Sequence, residues 1–504
     1  MNYRLRLWGC LFGLGLLRLV SLGLYPLADT TEARYGNISR LMVETGEWIM
    51  PQFTLGVPFW GKPPLSIWLS AGSMKLFGIN EFAVRLPSFI LGLTVIVLAW
   101  SLARRQSGKD LALSAALVLM SSGLFFFSSG AVMTDPSLLL GTTLCMVSFW
   151  KALNNSQKSG RIWGYAFFLG LAIGLLAKGP IAVVLTGLPI GIWVLLRKQW
   201  LVVWQRLPWV SGLFLTAFLS IPWYLMAELE TPGFLEYFLI GEHWKRFTIS
   251  GWEGDLYGNA HDRPMGTIWF YWLISTLPWS LLLFVIFLKN KRWSLRSNSI
   301  ASKEDGWYLY LFLWAIAPMV FFTFAGNILW TYVLPGMPAF ALVASEFLSS
   351  SELQKKESSY PSPTLKWGCL SMFVLFALAL IIIVSTNYGP AEKSQKELVA
   401  TFEKHRPDHQ ATLTYLFKRP YSAEFYSGGT AFLVKELDEA TILLQDDLVN
   451  YFAIFKKDMR KLPESFLSRL IILDHIGQYY LLIEKEQNQF DSGKSEHKPV
   501  MRSA

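Results

Sequence analysis

Long apolar runs separated by short polar segments fill the chain from residue 7 to residue 384. An α-helix needs about 17 to 25 apolar residues to cross the hydrocarbon core of a bilayer. The runs that reach or approach this length predict about eleven transmembrane helices. They cover residues 7–24, 86–103, 111–127, 136–153, 162–177, 181–196, 207–227, 265–288, 307–325, 328–348 and 367–384.

The pattern changes after residue 386. Short β-rich runs separated by helix-like stretches occur in a more charged background, at residues 411–417, 440–444 and 479–484. Such alternation favours a small α/β domain over residues 387–491. The polar residues 492–504 are expected to form a disordered tail. The predicted fold is therefore an all-α polytopic membrane domain over residues 1–386, followed by a small α/β domain.

Composition supports the membrane class. Hydrophobic residues make up 53% of the chain and charged residues only 16%. The net charge of +9 is compatible with nucleic-acid binding, but the Lys and Arg residues lie in short loops between apolar runs. That distribution is typical of signals that orient membrane helices, so we expect membrane lipids as partners and no nucleic acid. The three cysteines fall inside apolar runs and indicate no disulfide framework.

The basic residues also predict how the chain is threaded. With the N-terminus in the cytoplasm, nearly every basic cluster falls in a cytoplasmic loop, as the positive-inside rule requires. Two larger loops, residues 25–85 and 228–264, and the C-terminal domain then lie on the periplasmic side of the inner membrane. Residues 23–26 offer no small-residue cleavage site, so we expect the first run to be retained as a span. The predicted cytoplasmic loops are too short to hold a domain, so any chemistry is expected at the outer surface.

The first outer loop carries two acids followed by a basic and an aromatic residue. Asp29 and Glu32 are three residues apart, so they share one helix face or its start. One interpretation is a capping arrangement, with Asp29 as the N-cap and Glu32 three residues later. Capping does not account for Arg34 and Tyr35, which follow directly at the membrane edge. The alternative is a functional group of charges.

Three cations on the predicted outer side are candidates for binding a phosphate. Lys62 projects from a rigid turn in which prolines fix the backbone. Lys178 lies on the side of the membrane that the orientation rule disfavours, and Arg246 belongs to a basic cluster in the second outer loop. The alternatives are a snorkelling lysine at position 62 and a solvated face around Arg246 that touches anionic headgroups.

Asp135 places a carboxylate at the start of the fourth predicted span, with no other charge near it in the sequence. As an N-cap before Pro136 it would be ordinary. Carboxylates at membrane depth tend to be functional. Both interpretations stay open.

These acids and cations match the needs of glycosyl transfer from a phosphate-linked sugar. The reaction needs a base for the acceptor's proton and positive charge for the departing phosphate. A polyprenyl phosphate can be delivered through the bilayer, whereas the outer compartment should lack nucleotide sugars, so the expected donor is a polyprenyl-phosphate sugar. No D-x-D, Walker or Rossmann pattern occurs in the outer loops, so no cofactor or metal is indicated. The predicted catalytic residues are Asp29, Glu32 and Asp135, and the predicted donor-phosphate-binding residues are Arg34, Tyr35, Lys62, Lys178 and Arg246.

An ordered set of short motifs resembles the GT-C glycosyltransferases, and within them the aminoarabinose (lipid A) transferases related to protein O-mannosyltransferases. The similarity covers about the first 350 residues. The motifs are Glu-Ala-Arg-Tyr at 32–35, Gly-Glu-Trp at 46–48, Lys-Pro-Pro at 62–64, Asp135, Ala-Lys-Gly-Pro at 177–180, Pro-Trp at 278–279 and Thr-Tyr-Val-Leu-Pro at 331–335.

The resemblance implies a GT-C fold and an inverting transfer from a polyprenyl-phosphate donor to lipid A, another glycolipid or a protein hydroxyl. Two positions depart from the family pattern. Thr31 stands where relatives have the Asp at the reaction centre, which leaves Asp29 or Glu32 as the base. Asn327 stands where relatives often have a Lys, which bears on substrate choice.

Two other classes of protein share some of these features. A secondary transporter would also have about eleven spans and basic inner loops, but transporters tend to carry polar groups near mid-membrane. The predicted spans are almost free of ionisable residues there. A non-catalytic scaffold that presents the C-terminal domain would tolerate loss of the three candidate carboxylates.

Overall fold

The computed structural model describes residues 3–258, 261, 263–289, 306–353, 363–386, 389–406, 411–446 and 448–485. The chain forms two compact units. The first comprises Met1–Tyr25 and Ile38–Val384, and the second comprises Pro26–Asn37 and Ser385–Ala504. The second unit therefore includes a short segment of the predicted first outer loop. The predicted tail, residues 492–504, lies outside the described residues.

The first unit is helical. Each of the eleven predicted apolar runs is helical over most of its length. Its α-helices are Tyr3–Ser21, Thr31–Thr45 (which begins in the second unit), Leu65–Phe77, Glu81–Ser107, Lys109–Met120, Gly123–Ser128, Asp135–Asn154, Gln157–Lys178, Ile181–Arg197, Trp200–Arg206, Trp209–Glu230, Phe234–Glu236, Arg246–Thr248, Thr267–Ser275, Trp279–Lys289, Trp307–Phe322, Met337–Leu353 and Pro363–Ser385. A π-helix spans Tyr237–Lys245, a 3-10 helix spans Trp330–Gly336, and strands β1 (Gln52–Thr54) and β2 (Val57–Pro58) form an antiparallel pair.

Several of these helices are long and apolar enough to cross a membrane. Six meet this requirement within the described residues: Glu81–Ser107, Asp135–Asn154, Gln157–Lys178, Trp209–Glu230, Trp330–Ser349 and Thr364–Ser385. A seventh candidate is the pair Thr267–Ser275 and Trp279–Leu288, which bends by 95°.

Two of the predicted runs are not continuous helices. The run predicted over 265–288 is interrupted at Pro278, because proline cannot donate a backbone hydrogen bond within a helix. The run predicted over 111–127 breaks at Ser121 and Ser122 into two helices. The count of eleven spans therefore stays a prediction.

Glycines bring two helices of the bundle into close contact. Asp135–Asn154 and Gln157–Lys178 follow each other after a short turn. A Cβ atom on Gly141 would lie 2.7 Å from the Gly174 backbone nitrogen, and one on Gly170 would lie 2.9 Å from the Cys145 nitrogen. Small residues allow such approach between membrane helices. Because the chain reverses direction between these helices, the start of the first and the end of the second lie at the same end of the bundle.

The second unit contains a five-stranded sheet in the order β4-β3-β5-β7-β6. Strand β3 pairs in parallel with β4 and β5, and β7 pairs antiparallel with β5 and β6. The strands are β3 (Thr412–Leu416), β4 (Phe432–Val434), β5 (Asn450–Phe455), β6 (Leu470–Ile476) and β7 (Tyr479–Glu484), and the helices are Lys396–His405, Tyr421–Tyr426, Leu437–Leu443 and Glu464–Leu467.

The strands predicted at 411–417 and 479–484 are confirmed as β3 and β7. The prediction of a strand at 440–444 is wrong, because these residues belong to the helix Leu437–Leu443 and the turn that follows it. Asp438 and Glu439 lie in the first turn of that helix, where negative charge interacts favourably with the helix dipole.

Candidate active site

A buried carboxylate lies at the centre of a group of charged side chains in the first unit. Glu242 belongs to the π-helix Tyr237–Lys245, and its side chain is only 2% exposed. Lys62 Nζ donates a hydrogen bond to Glu242 Oε2 at 2.6 Å, and Arg246 NH1 donates to both carboxylate oxygens at 3.0 and 3.1 Å. The hydroxyl of Tyr237 donates to Oε1 at 3.3 Å. Two of the predicted cations therefore share one carboxylate.

The charges around Glu242 offset its burial. Burial alone would raise the pKa of Glu242, but the nearby charges of Lys62 and Arg246 lower it, to about 2. Arg246 also forms an ion pair with Asp255 at 3.0 Å. Burial disfavours the charged form of Arg246, yet the carboxylate of Glu242 raises its pKa above the ordinary value. Lys62, Arg246, Glu242 and Asp255 thus form a group with two positive and two negative charges.

A second ion pair joins the ends of the two closely packed helices. Asp135 is the first residue of Asp135–Asn154, and Lys178 is the last residue of Gln157–Lys178. Lys178 Nζ donates to Asp135 Oδ1 at 2.7 Å, and both side chains are largely buried. Asp135 therefore pairs with a lysine, and Thr134 occupies the N-cap position. The Lys178 ammonium also lies 4.9 Å from the centre of the Tyr332 ring.

Tyr332 and His243 connect the two groups of charges. Tyr332 lies close enough to Arg246 to interact with its charge. His243 Nδ1 lies 2.8 Å from the Phe238 carbonyl oxygen, and Nε2 lies 3.1 Å from the carbonyl oxygen of Lys178. Gly179 makes this approach possible, because its φ is +79° and a Cβ there would lie 3.1 Å from the His243 ring. The two ion-paired groups therefore belong to one candidate site.

Buried polar contacts fix the segment that carries Lys62. The hydroxyl of Tyr257 accepts a hydrogen bond from the backbone nitrogen of Trp60 at 2.9 Å and donates one to the Pro58 carbonyl oxygen at 2.9 Å. The indole nitrogen of Trp60 donates to Thr231 Oγ1 at 3.0 Å. Burial raises the pKa of Tyr257 to about 12, so its hydroxyl keeps its proton and remains a donor at neutral pH. Lys62 is thus held by a rigid turn, as the prolines of this segment predict.

Asn327 has a structural role next to the same site. Its amide nitrogen donates to the backbone carbonyl oxygens of Arg246 at 2.7 Å and Ile249 at 3.2 Å. Its amide oxygen accepts a hydrogen bond from the backbone nitrogen of His261 at 2.9 Å. A lysine could not accept the bond from His261 because an ammonium group has no acceptor. The asparagine therefore fixes the backbone that follows the π-helix.

The other candidate residues lie in the second unit. The carboxylate of Asp29 accepts hydrogen bonds from the backbone nitrogens of Tyr421 and Ser422 and from the Ser422 hydroxyl. Asp29 therefore binds the first turn of Tyr421–Tyr426, rather than capping its own helix. Burial raises the pKa of Asp29 to about 6, although the bonds from Ser422 and Tyr421 lower it.

Glu32, Arg34 and Tyr35 follow Asp29 in the first turns of the helix Thr31–Thr45. Glu32 is half-buried and Tyr35 is buried. The Arg34 guanidinium lies 5.3 Å from the centre of the Tyr35 ring, and Arg34 also hydrogen-bonds Tyr421.

Part of the chain matches a known protein family. Residues 16–238 match the family model described as dolichyl-phosphate-mannose-protein mannosyltransferase. An undecaprenyl phosphate-α-4-amino-4-deoxy-L-arabinose arabinosyl transferase of Pseudomonas fluorescens is 34% identical over 340 residues, which are 66% of this chain and 55% of the relative. The enzyme of the same name from an Enterobacter species is 32% identical over 341 residues, covering 66% of this chain and 57% of the relative.

Solved structures share the fold. ArnT from Cupriavidus metallidurans bound to undecaprenyl phosphate superimposes with a TM-score of 0.76 and 17% identity, covering 96% of this chain and 98% of that one. The chain therefore shares the fold of the GT-C glycosyltransferases and resembles the aminoarabinose transferases in sequence. The archaeal oligosaccharyltransferase AglB from Archaeoglobus fulgidus has a TM-score of 0.50 at 11% identity, covering 91% of this chain and 70% of that one. The fold is that of a multi-pass membrane protein, and the chain spans just over half the length of the two arabinosyl transferases.

The structure brings together four of the eight predicted site residues: Lys62, Asp135, Lys178 and Arg246. No role was predicted from the sequence for Glu242, His243, Asp255 or Tyr332. One signal was present, because Glu242 precedes a basic cluster at 243–246 in a predicted outer loop. Within the described residues, no group of three or more His, Cys, Asp or Glu side chains is arranged to hold a metal ion.

Proposed function

We propose that this protein is an inverting glycosyltransferase that moves a sugar from a polyprenyl-phosphate donor to a lipid A-like glycolipid. The similarity to arabinosyl transferases that use an undecaprenyl phosphate donor supports this donor class. The fold shared with ArnT, a protein solved with undecaprenyl phosphate, supports it further. A protein acceptor is the alternative, since the matching family model describes protein mannosyltransferases.

The observation that carries the proposal is the convergence of three cations from distant parts of the sequence. Lys62, Lys178 and Arg246 lie around Tyr332 and His243 in one partly buried site. In this proposal they bind the donor phosphate and stabilise the negative charge that develops as the bond to the sugar breaks. Charge-assisted hydrogen bonds of this kind are stronger than neutral ones. The carboxylates of Glu242, Asp255 and Asp135 hold the cations in place before the donor arrives.

The remaining predicted residues complete the proposal. Arg34 and Tyr35 assist phosphate binding, and the acceptor's proton goes to one of Asp29, Glu32 and Asp135. In the proposed mechanism, the acceptor oxygen attacks the anomeric carbon opposite the phosphate. The phosphate leaves with the bonding electrons, and the base takes the acceptor's proton.

We also propose the orientation of the chain. The N-terminus lies in the cytoplasm, while the candidate active site and the α/β unit face the periplasm, within an arrangement of about eleven spans. No cofactor is proposed, and no metal ion. The basic residues of the predicted inner loops support this orientation.

An in vitro transfer assay tests the proposal. The purified protein is incubated with an undecaprenyl-phosphate-linked aminoarabinose donor and with lipid A or a serine-containing peptide, and products are identified by mass spectrometry. We expect sugar transfer to lipid A. Among Asp29→Asn, Glu32→Gln and Asp135→Asn, the variant that lacks the base should lower the rate by about 10² to 10⁴, the usual effect of losing a general base. Full rates in all three variants would exclude the assigned bases, and transfer only to the peptide would exclude the lipid acceptor.

A further inference from the structure

His243 is placed between two backbone carbonyl groups. Its Nδ1 faces the carbonyl oxygen of Phe238 at 2.8 Å, five residues earlier in the π-helix, and its Nε2 faces the carbonyl oxygen of Lys178 at 3.1 Å. A neutral imidazole has one N–H donor, whereas an imidazolium has two. Both carbonyls face a donor only when His243 is protonated on both nitrogens. The neutral ring leaves one nitrogen lone pair pointing at an oxygen lone pair.

The surroundings oppose this protonated form while the site has no bound anion. Burial lowers the pKa of His243, and the charge of Lys62 lowers it further, although hydrogen bonding to the two carbonyls and the charge of Glu242 act in the opposite direction. Among the described residues, the charges that act on His243 come from Lys62 and from Glu242 of its own π-helix, while Lys178 contributes the carbonyl oxygen. The Phe238 ring packs against the imidazole ring in a T-shaped arrangement.

The charge balance of the site changes when a phosphate binds. The positive charges of Lys62 and Arg246 are offset by Glu242 and Asp255, and that of Lys178 is offset by Asp135. A phosphate therefore adds uncompensated negative charge close to Lys62. An additional negative charge favours the protonated form of a neighbouring histidine.

We propose that His243 is a positioning residue that gains a second proton when an anionic phosphate binds, so that donor binding is coupled to proton uptake. This inference rests on the proposed phosphate site. The proton comes from solvent. The resulting imidazolium donates to both carbonyls and locks the π-helix, which carries Glu242 and leads into Arg246, onto the end of the helix Gln157–Lys178. The phosphate thereby tightens the contact between the two halves of the site.

Calorimetry on the full-length protein in detergent tests the coupling. Undecaprenyl phosphate is titrated at pH 7 in two buffers with different ionisation enthalpies, and the number of protons exchanged follows from the difference in heat. The phosphate monoester has a second pKa of about 6, so binding to cations alone would release protons. We expect net uptake by the wild-type protein. Net release, or no exchange, would overturn the inference.

A substitution at His243 tests whether this residue takes up the proton. His243→Gln keeps one neutral donor, and His405→Gln is the matched control because His405 is exposed in the second unit. We expect wild type and the control to bind undecaprenyl phosphate about tenfold more tightly than His243→Gln at pH 6, and the difference to shrink toward pH 8.5. Identical pH profiles for all three proteins would overturn the inference and leave the phosphate site intact. If undecaprenyl phosphate binds to none of them, the proposed function fails instead.

Discussion

The charged side chains of the candidate site neutralise one another in pairs. The two members of such a pair were not equally recognisable in the sequence. Lys62, Lys178 and Arg246 were recognisable in the sequence because each is a cation in a predicted outer loop or turn. Their partner Glu242 was not, since nothing in the sequence indicates that residue 242 pairs with residue 62. Such pairing depends on tertiary contacts between segments far apart in the chain. The basic residues near a membrane edge and Asp135 could be predicted, but the pairing of each cation with its carboxylate could not.

Replacing Glu242 should destabilise the first unit. Glu242→Gln leaves Lys62 and Arg246 buried with one negative charge fewer, and breaking such a buried pair costs about 3–5 kcal/mol. Unfolding of the purified variant in detergent, followed by circular dichroism at pH 7, measures this loss. Glu253→Gln is the matched control because Glu253 is exposed. Equal stability of the two variants would contradict the assigned role of Glu242.

The stability difference between wild type and Glu242→Gln should depend on pH. The pKa of Glu242 is lowered from 4.5 to about 2 in the folded protein, so its ionised form stabilises the fold above pH 4.5 and this stabilisation is lost as the pH falls toward 2. The shift corresponds to about 3 kcal/mol. The stability difference between wild type and Glu242→Gln should therefore shrink on acidification from pH 5 to pH 3. A difference that stays constant over this range would exclude the ionised carboxylate as its source.

At the scale of secondary structure elements, hydrophobic length predicted the helices well and their interruptions poorly. The apolar run over 265–288 met the length requirement for one span, yet the structure bends it by 95° near Pro278. The π-helix Tyr237–Lys245 has no period that distinguishes it from an α-helix over nine residues. π-Helical turns frequently occur at functional sites, and this one carries Glu242 and His243. The helix Leu437–Leu443 was mistaken for a strand because a short apolar run fits either element.

Close helix packing should be as important to the site as the charged residues. A methyl group on Gly170 would lie 2.9 Å from the backbone of the neighbouring helix, whereas one on Gly187 would meet nothing within 4 Å. Gly170→Ala should therefore separate the helices that bear Asp135 and Lys178. We expect it to lower stability by about 1–3 kcal/mol, as overpacking does, and to reduce the transfer rate. Gly187→Ala should be close to wild type in both unfolding and transfer assays, and equal effects of the two substitutions would contradict this packing argument.

At the scale of the whole molecule, the sequence motifs predicted a GT-C fold, and the similarity to ArnT confirms it. The α/β character of the C-terminal region could also be predicted, because alternating short strands and helices leave a clear pattern. The division into two units could not be predicted from the sequence, since Pro26–Asn37 joins a unit whose other residues begin at Ser385. Asp29 shows why: its carboxylate binds the helix Tyr421–Tyr426, a contact across almost the whole sequence. No local pattern encodes such a contact.

The convergence of Lys62, Lys178 and Arg246 on one phosphate is tested most directly by measuring the affinity of the purified protein for undecaprenyl phosphate. Each of Lys62→Met, Lys178→Met and Arg246→Met should weaken binding by about ten- to a hundredfold, because a charge-assisted hydrogen bond contributes about 1.5–3 kcal/mol. Lys75→Met removes the same charge at an exposed position and should leave the affinity unchanged. Wild-type affinity in all three site variants, or an equal loss in Lys75→Met, would contradict the account.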